Sequence, residues 1–332
     1  MISVVVVNWN RKELLRACLG SLERQGGTAF EVIVVDNGST DGSAEMAGEE
    51  FGVRVIRNQE NRGFCAANNQ GIAAAQGAFI ALINNDAEAA DGWLAALERA
   101  CSSAPDIGMA ASKVLVWEDA RRIDKAGHLI FPDGQNRGRG SGEVDRGQYD
   151  RQEEVLWPDG CAGMYRKRML EEIGGFDEDF FAYGDDAELG LRARLAGWRC
   201  IYTPQAVARH HRGSTLGKES VRRLELIERN RVLLALKLFP WSLLLLNPVF
   251  FAARLMAGAW AALRGAGDTA YFPGLAGKWR LARGLAGGQL QAALLAPRML
   301  RKRAALGRIR RLTPGQARQL IWRNRLGLRE LA

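Results

Sequence analysis

The fold of this chain is decided by its first apolar run, Ile2-Ser3-Val4-Val5-Val6-Val7, which ends at Asn8-Trp9-Asn10. The run is short, almost wholly apolar and rich in β-branched residues, as is typical of a strand buried on both faces of a sheet. Similar runs follow at 32–35, 53–56 and 78–83, with helix-like segments between them. Strands that alternate with helices predict an α/β fold with a mostly parallel sheet flanked by helices.

Asn and Asp residues follow these predicted strands where each strand ends. Asn8 and Asn10 follow the first strand, Asp36 the second, Asn61 the third and Asn84-Asn85-Asp86 the fourth. Ligands of such sheets bind beyond the carboxyl ends of the strands, so these side chains are expected to line one site. A single cluster would be an ordinary turn, whereas four at one edge predict a binding site.

The residues at this edge favour a nucleotide held by side chains and a metal ion. No GxGxxG follows the first strand and no GxxxxGK[ST] is present, which disfavours a dinucleotide dehydrogenase or a P-loop NTPase. Asp86, with Asn84 or Glu88 beside it, could hold Mg²⁺ or Mn²⁺ against a diphosphate, because these hard cations prefer oxygen ligands. The adjacent His210 and His211 are candidates for a further ligand of Mn²⁺, and a basic loop that touches phosphate is the alternative.

Three carboxylates, Asp185, Asp186 and Glu188, lie within four positions at the start of a predicted helix. Like charges this close oppose each other's ionisation, so at least one of the three should have a raised pKa. A carboxylate of that kind is a candidate general base. The alternative is an acidic helix N-terminus that the helix dipole favours.

The segment 124–157 is rich in Gly, Arg and Asp and poor in apolar residues. It is predicted to be a long loop without regular structure around 138–142, and therefore a mobile lid or an acceptor-binding loop. Trp157 at its end is expected either to stack on a sugar ring or to lie in the core.

Length and cysteine content restrict the class of protein. The 332 residues allow one large domain with an appendage, or two domains. The five cysteines lack CxxC spacing, which argues against a disulfide framework or a zinc knuckle and favours a reducing cytosol. The chain starts directly with the strand-like run, and no signal peptide is predicted.

Basic residues are concentrated at the C-terminus. The net charge is +9, and residues 264–332 carry fifteen Lys and Arg against two acids. The apolar stretch 232–263 is interrupted by charged residues and prolines, whereas a bilayer span needs about 20 clean apolar residues. The prediction is helices that lie in the membrane interface, with basic side chains toward lipid phosphates. The alternatives are a packed helical subdomain and a re-entrant hairpin broken at Asn247-Pro248; nucleic acid is not an expected partner, because no nucleic-acid motif is present.

Taken together, the motifs resemble the family 2 inverting glycosyltransferases of the GT-A fold, and most nearly the bacterial rhamnosyltransferase-like and galactofuranosyltransferase-like members. The likeness covers about residues 1 to 240. The matching motifs, in the family's order, are 5–10, 34–43, 58–64, 82–88, 174–178, the 185–188 carboxylates and the His210 loop.

The resemblance implies a role for each matching residue on the donor side. Asn8, Asn10 and Asp36 fall where the family holds the base and ribose of a nucleotide sugar. Asn61 and Gly63 fall in the segment that lines the nucleotide pocket.

The resemblance also assigns the metal and the base. Asn84-Asn85-Asp86 falls on the DxD metal motif with Asp86 as the metal carboxylate, and Asn84 replaces the first Asp of that motif. His210 matches the family's late histidine ligand, with His211 as the alternative. Asp186 matches the catalytic base, and Glu188 is expected to position the acceptor or cap the helix.

The expected protein is a GT-A domain over residues 1–220 followed by a membrane-associating helical region over 221–332. It would move a sugar, with rhamnose as the first candidate, from a nucleoside diphosphate to a saccharide or lipid-linked hydroxyl. The expected location is the cytoplasm, peripheral on the inner face of the cell membrane, in bacterial surface polysaccharide synthesis. One alternative is a nucleotidyltransferase, whose Gly-rich first loop is replaced here by Asn8-Trp9-Asn10-Arg11-Lys12. Another is a scaffold that binds nucleotide sugar without turnover.

Overall fold

The computed structural model describes residues 1–211, 220–263, 272 and 274–331. The chain forms two compact units: Met1–His128 with Gly138–Arg212, and Leu129–Arg137 with Gly213–Ala332. The predicted division after residue 220 lies beside residues 212–219, which are outside the described residues, as is the turn Gly213-Ser214-Thr215 after the histidine pair. Leu129–Arg137 lies within the predicted first domain but belongs to the second unit.

The elements have the following bounds. The strands are β1 (Ile2–Asn8), β2 (Phe30–Asp36), β3 (Arg54–Arg57), β4 (Phe79–Ile83), β5 (Ala87–Ala89), β6 (Ile107–Val116), β7 (Ile123–Lys125), β8 (His128–Ile130), β9 (Asn136–Gly138), β10 (Glu153–Val155), β11 (Ala162–Arg166) and β12 (Arg199–His210). The helices are α1 (Lys12–Glu23), α2 (Ser43–Phe51), α3 (Phe64–Ala74), α4 (Trp93–Ser102), α5 (Lys167–Ile173), α6 (Asp185–Leu195), α7 (Val221–Leu238), α8 (Trp241–Leu263), α9 (Gly274–Leu306), α10 (Pro314–Arg323) and α11 (Leu328–Leu331).

The first unit is built on a sheet of order β10-β12-β6-β11-β4-β1-β2-β3, with β5 beside β12 and β7 beside β6. Strands β1, β2, β3 and β4 are parallel neighbours, and β12 is parallel to β6. Strand β11 is antiparallel to both β4 and β6, so these two strands share one direction. The predicted α/β fold with a mostly parallel sheet is therefore confirmed.

Strand β1 occupies the middle of this sheet because its side chains are apolar on both faces. Val4 and Val6 are fully buried on one face and Val5 on the other. Burial of such side chains contributes about 2 kcal/mol each, which makes the centre of the sheet the least tolerant position for polar residues. In the register of β1 with β2, Asn8 lies opposite Asp36, so the polar ends of the two strands are neighbours.

The segment 124–157 is not the long loop that was predicted, although residues 139–142 are turns, in agreement with the predicted lack of regular structure there. The segment contains part of β7, together with β8, β9 and β10; β7 pairs with β6 and β10 with β12. A strand of three residues is too short to show an alternation of apolar and polar side chains in the sequence. Such a strand is stabilised mainly by the strand with which it pairs. Trp157 is fully buried and its ring stacks on His128 at 5.8 Å, which confirms the core alternative for this residue.

In the second unit, α7 packs against α9 at close range. The contact face of α9 carries small residues at helical spacing: Gly284, Gly288 and Ala292 are all buried. A Cβ at Gly288 would lie 2.8 Å from the carbonyl oxygen of Glu225. The absence of side chains at these positions therefore permits the two helices to approach.

Helix α8 runs without a break through Pro248, so the re-entrant hairpin broken at Asn247-Pro248 is wrong. By length and composition, Trp241–Ala261 is the one stretch of the described residues that could cross a membrane, and 6% of its most apolar window is buried.

A buried ionic cluster fixes α8 to the rest of the second unit. Asp133 Oδ2 accepts a hydrogen bond from Arg254 Nε at 2.6 Å, and Glu228 Oε2 accepts one from Arg254 Nη2 at 2.8 Å. Arg231 Nη2 donates to Glu228 Oε1 at 2.6 Å, and Asn247 Nδ2 to the carbonyl oxygen of Asp133 at 3.0 Å. The Asp133 and Glu228 carboxylates are almost fully buried, so their stability depends on these cations.

We expect the Arg254→Met substitution to destabilise the second unit by about 3 kcal/mol, because Arg231 would then be left to compensate two buried carboxylates with one charge. Urea unfolding followed by circular dichroism measures this change. The exposed Arg308 provides the control, since Arg308→Met should cost less than about 0.5 kcal/mol. Equal unfolding midpoints for the two variants would contradict a stabilising role for the cluster.

Candidate active site

The predicted strand ends meet around Asn8, which is fully buried. Its Nδ2 donates to Asp36 Oδ1 at 3.3 Å and to Ser39 Oγ at 3.2 Å. Its Oδ1 accepts from Asn85 Nδ2 at 2.6 Å. The ends of β1, β2 and β4 are thus joined by one amide side chain.

Asn10 lies on the rim of the same cluster. Its φ is +48°, a left-handed conformation that Asn adopts more readily than most residues. Its backbone N–H donates to Ser39 Oγ at 2.9 Å, and its Oδ1 accepts from the Thr40 N–H at 2.8 Å. These bonds fix the turn that follows β2.

Asn61 and Gly63 form a turn after β3, the third of the strands at whose ends polar residues were predicted. Asn61 Oδ1 accepts from the Gly63 N–H and from Asn37 Nδ2, both at 2.9 Å. Gly63 has φ +86°, and a Cβ there would lie 2.4 Å from the ring of Phe181. The loop before the acidic run therefore lies against this turn, and glycine is required for the contact. Phe181 and Tyr183 have positive φ as well, a strain that is common near functional sites.

Asp86 and His210 form a second cluster, in which β12 lies beside β5. His210 Nε2 is 3.4 Å from Asp86 Oδ1, and His210 Nδ1 is 2.8 Å from Asp124 Oδ2. Although burial alone would lower it, hydrogen bonds to Asp124 and Asp86 raise the pKa of His210 to about 9. A buried carboxylate on one ring nitrogen is the usual means of orienting a metal-binding histidine.

This donor set fits a divalent cation. A carboxylate oxygen and an imidazole nitrogen 3.4 Å apart can both ligate one ion of the size of Mg²⁺ or Mn²⁺. Of the two histidines, the structure places His210 beside Asp86. The His211 ring instead stacks on Trp117 at 4.2 Å, and only its backbone N–H reaches the carbonyl oxygen of Asp86, at 2.9 Å.

A third cluster surrounds Asp186 at the first turn of α6. His128 Nε2 lies 2.8 Å from Asp159 Oδ2 and 3.6 Å from Asp186 Oδ2. The Gly160 N–H donates to Asp186 Oδ2 at 3.3 Å, and the Lys125 ammonium forms an ion pair with Asp159. Although burial opposes it, Asp159 raises the pKa of Lys125; Lys125 and His128 together hold the pKa of Asp159 well below its ordinary value.

His128, Asp159 and Asp186 also form a conceivable cation site, since their ligand atoms lie within 4.8 Å of one another. However, Lys125 already compensates the charge of Asp159 at the oxygen that faces His128. A divalent ion there would meet a neighbouring ammonium group. Asp86 and His210 are therefore the better candidates to hold a cation, and the third cluster is an internal ion-pair network.

Strand β7 connects the second and third clusters. Asp124 and Lys125 are consecutive in β7, and consecutive strand residues point to opposite sides. One side chain reaches His210 and the other reaches Asp159. Sequence reasoning missed Asp124, Lys125, His128 and Asp159, although the rarity of histidine in this chain was a usable signal for His128.

The two other members of the acidic run have different surroundings. Glu188 is fully buried and bonds Arg192 through both oxygens, at 2.9 and 2.8 Å. Arg192 in turn donates to the carbonyl oxygens of Ile173 and Gly175. Glu188 thus anchors the turn after α5, and the structure does not place it where it could contact an acceptor or cap α6. Burial first, and the charge of Asp186 second, raise the pKa of Asp185 well above its ordinary value.

This shift predicts a pH dependence of stability. A carboxyl whose pKa is raised by folding contributes stability fully below its unfolded pKa of about 3.9, and that contribution is lost as the pH rises through the folded value. We expect Asp185→Asn to remove this loss, so its Tm should exceed that of the wild type by a margin that grows from pH 4 to pH 8. Differential scanning calorimetry across this range measures the margin. The exposed Asp91 offers a control, because Asp91→Asn should track the wild type; a constant offset for Asp185→Asn would contradict the assignment.

Comparison with known proteins identifies the family. The profile of Glycosyl transferase family 2 matches residues 3–174, and that of Glycosyl transferase family group 2 matches residues 147–276. An N-acetylglucosaminyl-diphospho-decaprenol L-rhamnosyltransferase of Mycobacterium tuberculosis is 27% identical over 241 residues, which are 66% of this chain and 78% of the relative. An uncharacterised protein of Sinorhizobium fredii is 28% identical over 66% of this chain, and the match spans only 25% of that longer protein.

Solved structures show the same fold. GalNAc-T7 with UDP, GalNAc and Mn²⁺ matches with a TM-score of 0.59 and 16% identity, over 76% of this chain and 50% of the other. The Pyrobaculum calidifontis mannosyltransferase PcManGT with GDP-Man and Mn²⁺ matches with a TM-score of 0.51 and 20% identity, over 97% and 83%. These structures confirm the predicted GT-A fold. The family profile covers more than half of the chain, and this protein therefore belongs to glycosyl transferase family 2.

Proposed function

We propose that this chain is a metal-dependent inverting glycosyltransferase that moves a sugar from a nucleoside diphosphate to a hydroxyl of a saccharide or lipid-linked acceptor. The observation that carries this proposal is the series of contacts from Asp86 through His210 and Asp124 to Lys125, Asp159 and His128, and on to Asp186. It brings a candidate diphosphate-binding group and a candidate base into one connected site within the first unit.

The donor would bind along the strand ends. Asn8, Asn10 and Asp36 would contact the base and ribose, and Asn61 with Gly63 would line the pocket. In support of this proposal, hydrogen bonds join Asn8 to Asp36, Asn10 to Ser39 and Gly63 to Asn61 at the carboxyl edge of the sheet.

Asp86 and His210 would hold Mg²⁺ or Mn²⁺ beside the diphosphate. When bound, such an ion would stabilise the negative charge that develops on the departing phosphate. Asn84 stands where the family has a second carboxylate, and Asp124 supplies one indirectly through His210. The GalNAc-T7 and PcManGT structures both contain Mn²⁺ and a nucleotide or nucleotide sugar, which supports the choice of ligand.

Asp186 would take the proton from the acceptor hydroxyl as that oxygen attacks the anomeric carbon on the face opposite the diphosphate. Its two oxygens are held by backbone donors: Gly160 N–H lies 3.3 Å from Oδ2 and Ala187 N–H 2.8 Å from Oδ1. The side chain keeps 13% of its surface exposed, so it can reach an acceptor while remaining fixed. His128 and Asp159 would act as positioning residues behind it.

The name of the mycobacterial relative supports a lipid-linked acceptor and rhamnose as the first sugar to test. A lipid-linked acceptor implies work at a membrane, and we place the enzyme in the cytoplasm, peripheral on the inner face. A nucleotidyltransferase is disfavoured, because this chain has Asn8-Trp9-Asn10-Arg11-Lys12 where such enzymes have a Gly-rich loop. The scaffold alternative predicts donor binding without transfer.

The decisive experiment compares wild type and Asp186→Asn. A thermal-shift screen of nucleoside diphosphate sugars with and without Mn²⁺, including deoxythymidine diphosphate rhamnose, first identifies the donor, because stabilisation grows with ligand concentration over Kd. Turnover of that donor should then fall about 10²- to 10⁴-fold in Asp186→Asn, since the base is lost, while the donor Kd stays within a factor of about 3. Anomeric configuration of the product, read by NMR, tests inversion.

Asp91→Asn, the same chemical change at an exposed position, should keep full turnover. Wild type that binds donor but transfers sugar to no acceptor would favour the scaffold. Unimpaired transfer by Asp186→Asn would exclude this residue as the base.

A second substitution tests the metal site. Asp124→Asn should weaken Mn²⁺ binding in the presence of the nucleoside diphosphate about 10- to 100-fold, because the His210 ring loses the carboxylate that orients it. Titration of free Mn²⁺ by electron paramagnetic resonance measures this Kd without any turnover. Asp119→Asn, on the same chain segment but paired only with surface arginines, is the matched control. If both variants bind Mn²⁺ like the wild type, Mn²⁺ binding does not depend on the contact between Asp124 and His210.

A further inference from the structure

One face of α8 is exposed and carries no charge. Trp241, Leu245, Val249, Met256 and Trp260 recur at intervals of four and seven residues, which places them on one side of the helix. Leu245 is 79% exposed and the other four are between 51% and 67% exposed. Soluble monomers seldom expose an apolar stripe of this length, and such stripes mark interaction surfaces.

The opposite face of α8 is fixed to the second unit by polar contacts. Arg254 is the only charged residue of the helix, and both of its hydrogen-bonding nitrogens in the cluster are directed to Asp133 and Glu228. Its guanidinium also lies over the ring of Phe251, 5.2 Å from the centroid. The charge of Arg254 is therefore compensated within the protein, and the exposed face of α8 carries no charged residue.

The ends of the stripe suit a membrane surface. The 21 residues of Trp241–Ala261 extend about 31 Å at 1.5 Å per residue, so a helix lying in the plane of the membrane would lay a continuous apolar face along one leaflet. Tryptophan occupies both ends of the stripe, as it does at membrane interfaces. Helix α9 adds seven Lys and Arg residues and no acid, a charge that suits anionic headgroups. It meets α8 at one end of the stripe, where Arg303 lies 4.5 Å from the centre of the Trp241 ring.

We infer that the exposed face of α8 enters the acyl-chain region of an anionic membrane leaflet, while its inner face stays on the protein and α9 contacts the headgroups. Crossing the bilayer is disfavoured, because Arg254 and the acids that bind it would then have to enter the hydrocarbon. The inference deepens the proposed function by supplying the surface at which a lipid-linked acceptor would be met. The test of membrane binding uses neither donor nor acceptor, so membrane binding and the proposed function can fail separately.

A fluorophore at residue 245 tests lipid contact directly. All five native cysteines are buried, so a Leu245→Cys variant can be labelled selectively with the environment-sensitive dye NBD. With vesicles of phosphatidylcholine and phosphatidylglycerol, acyl-brominated lipid should quench this probe at least threefold. A probe at Gln319→Cys, an exposed helical position of the same unit, should not be quenched.

Flotation of the full-length chain with the same vesicles gives the second measurement. Leu245→Glu should reduce the bound fraction at least tenfold, because a carboxylate on the stripe would have to enter lipid. Gln319→Glu adds the same charge on the same unit and should bind like the wild type. Vesicles of phosphatidylcholine alone should bind less than anionic vesicles, since the α9 charge then has no counterpart.

Three outcomes would overturn the inference. Wild type that stays unbound to anionic vesicles excludes a lipid surface. Equal flotation of Leu245→Glu and wild type excludes this face. Wild type that remains unbound and is dimeric by light scattering, with Leu245→Glu monomeric, would assign the stripe to a second copy of the chain.

Discussion

The candidate site depends on two consecutive side chains of one short strand, Asp124 and Lys125. Because strand residues alternate between faces, the pair delivers a carboxylate to His210 and an ammonium to Asp159 from a single backbone segment. Asp124 is fully buried and Lys125 keeps 23% of its side chain exposed, and each charge is compensated on its own side of the strand. The separation of the Asp86–His210 cluster from the Asp186 cluster is thus set by the pleat of β7, which its pairing with β6 keeps fixed.

Asn84 is easier to understand in this arrangement. A metal site with one carboxylate at the strand end would carry less negative charge than the usual pair of acids. Asp124 would restore a second carboxylate, but behind the His210 imidazole instead of directly on the cation.

Much of the fold and part of the site follow from the sequence, for a definite physical reason. Strands such as β1 are continuous apolar runs, and parallel connection brings their carboxyl ends to one edge; the prediction that Asn8 and Asp36 lie together needed nothing more. Strand β7 could not be predicted, because three residues have no periodicity and its pairing with β6 is a tertiary event. The i, i+4 spacing of Glu188 and Arg192 is typical of an ion pair on a helix, but Glu188 also belongs to the acidic run 185–188. Only the burial of Glu188, which the sequence does not show, distinguishes a structural ion pair from a member of the candidate site.

The second unit shows why a helix as apolar as α8 keeps one defined face outward. A helix held by apolar contacts alone could rotate about its axis at little cost, since Leu, Val and Phe occur all around it. The ionic cluster removes that freedom, because a rotation would strip Arg254 from Asp133 and Glu228 and leave these two buried carboxylates to share the single charge of Arg231. Buried ion pairs are often no more stabilising than apolar packing, and their benefit is specificity of arrangement. In this unit the ionic cluster fixes the orientation of the apolar stripe of α8. If apolar side chains replaced the cluster, that orientation would be lost even if the free energy of unfolding stayed the same.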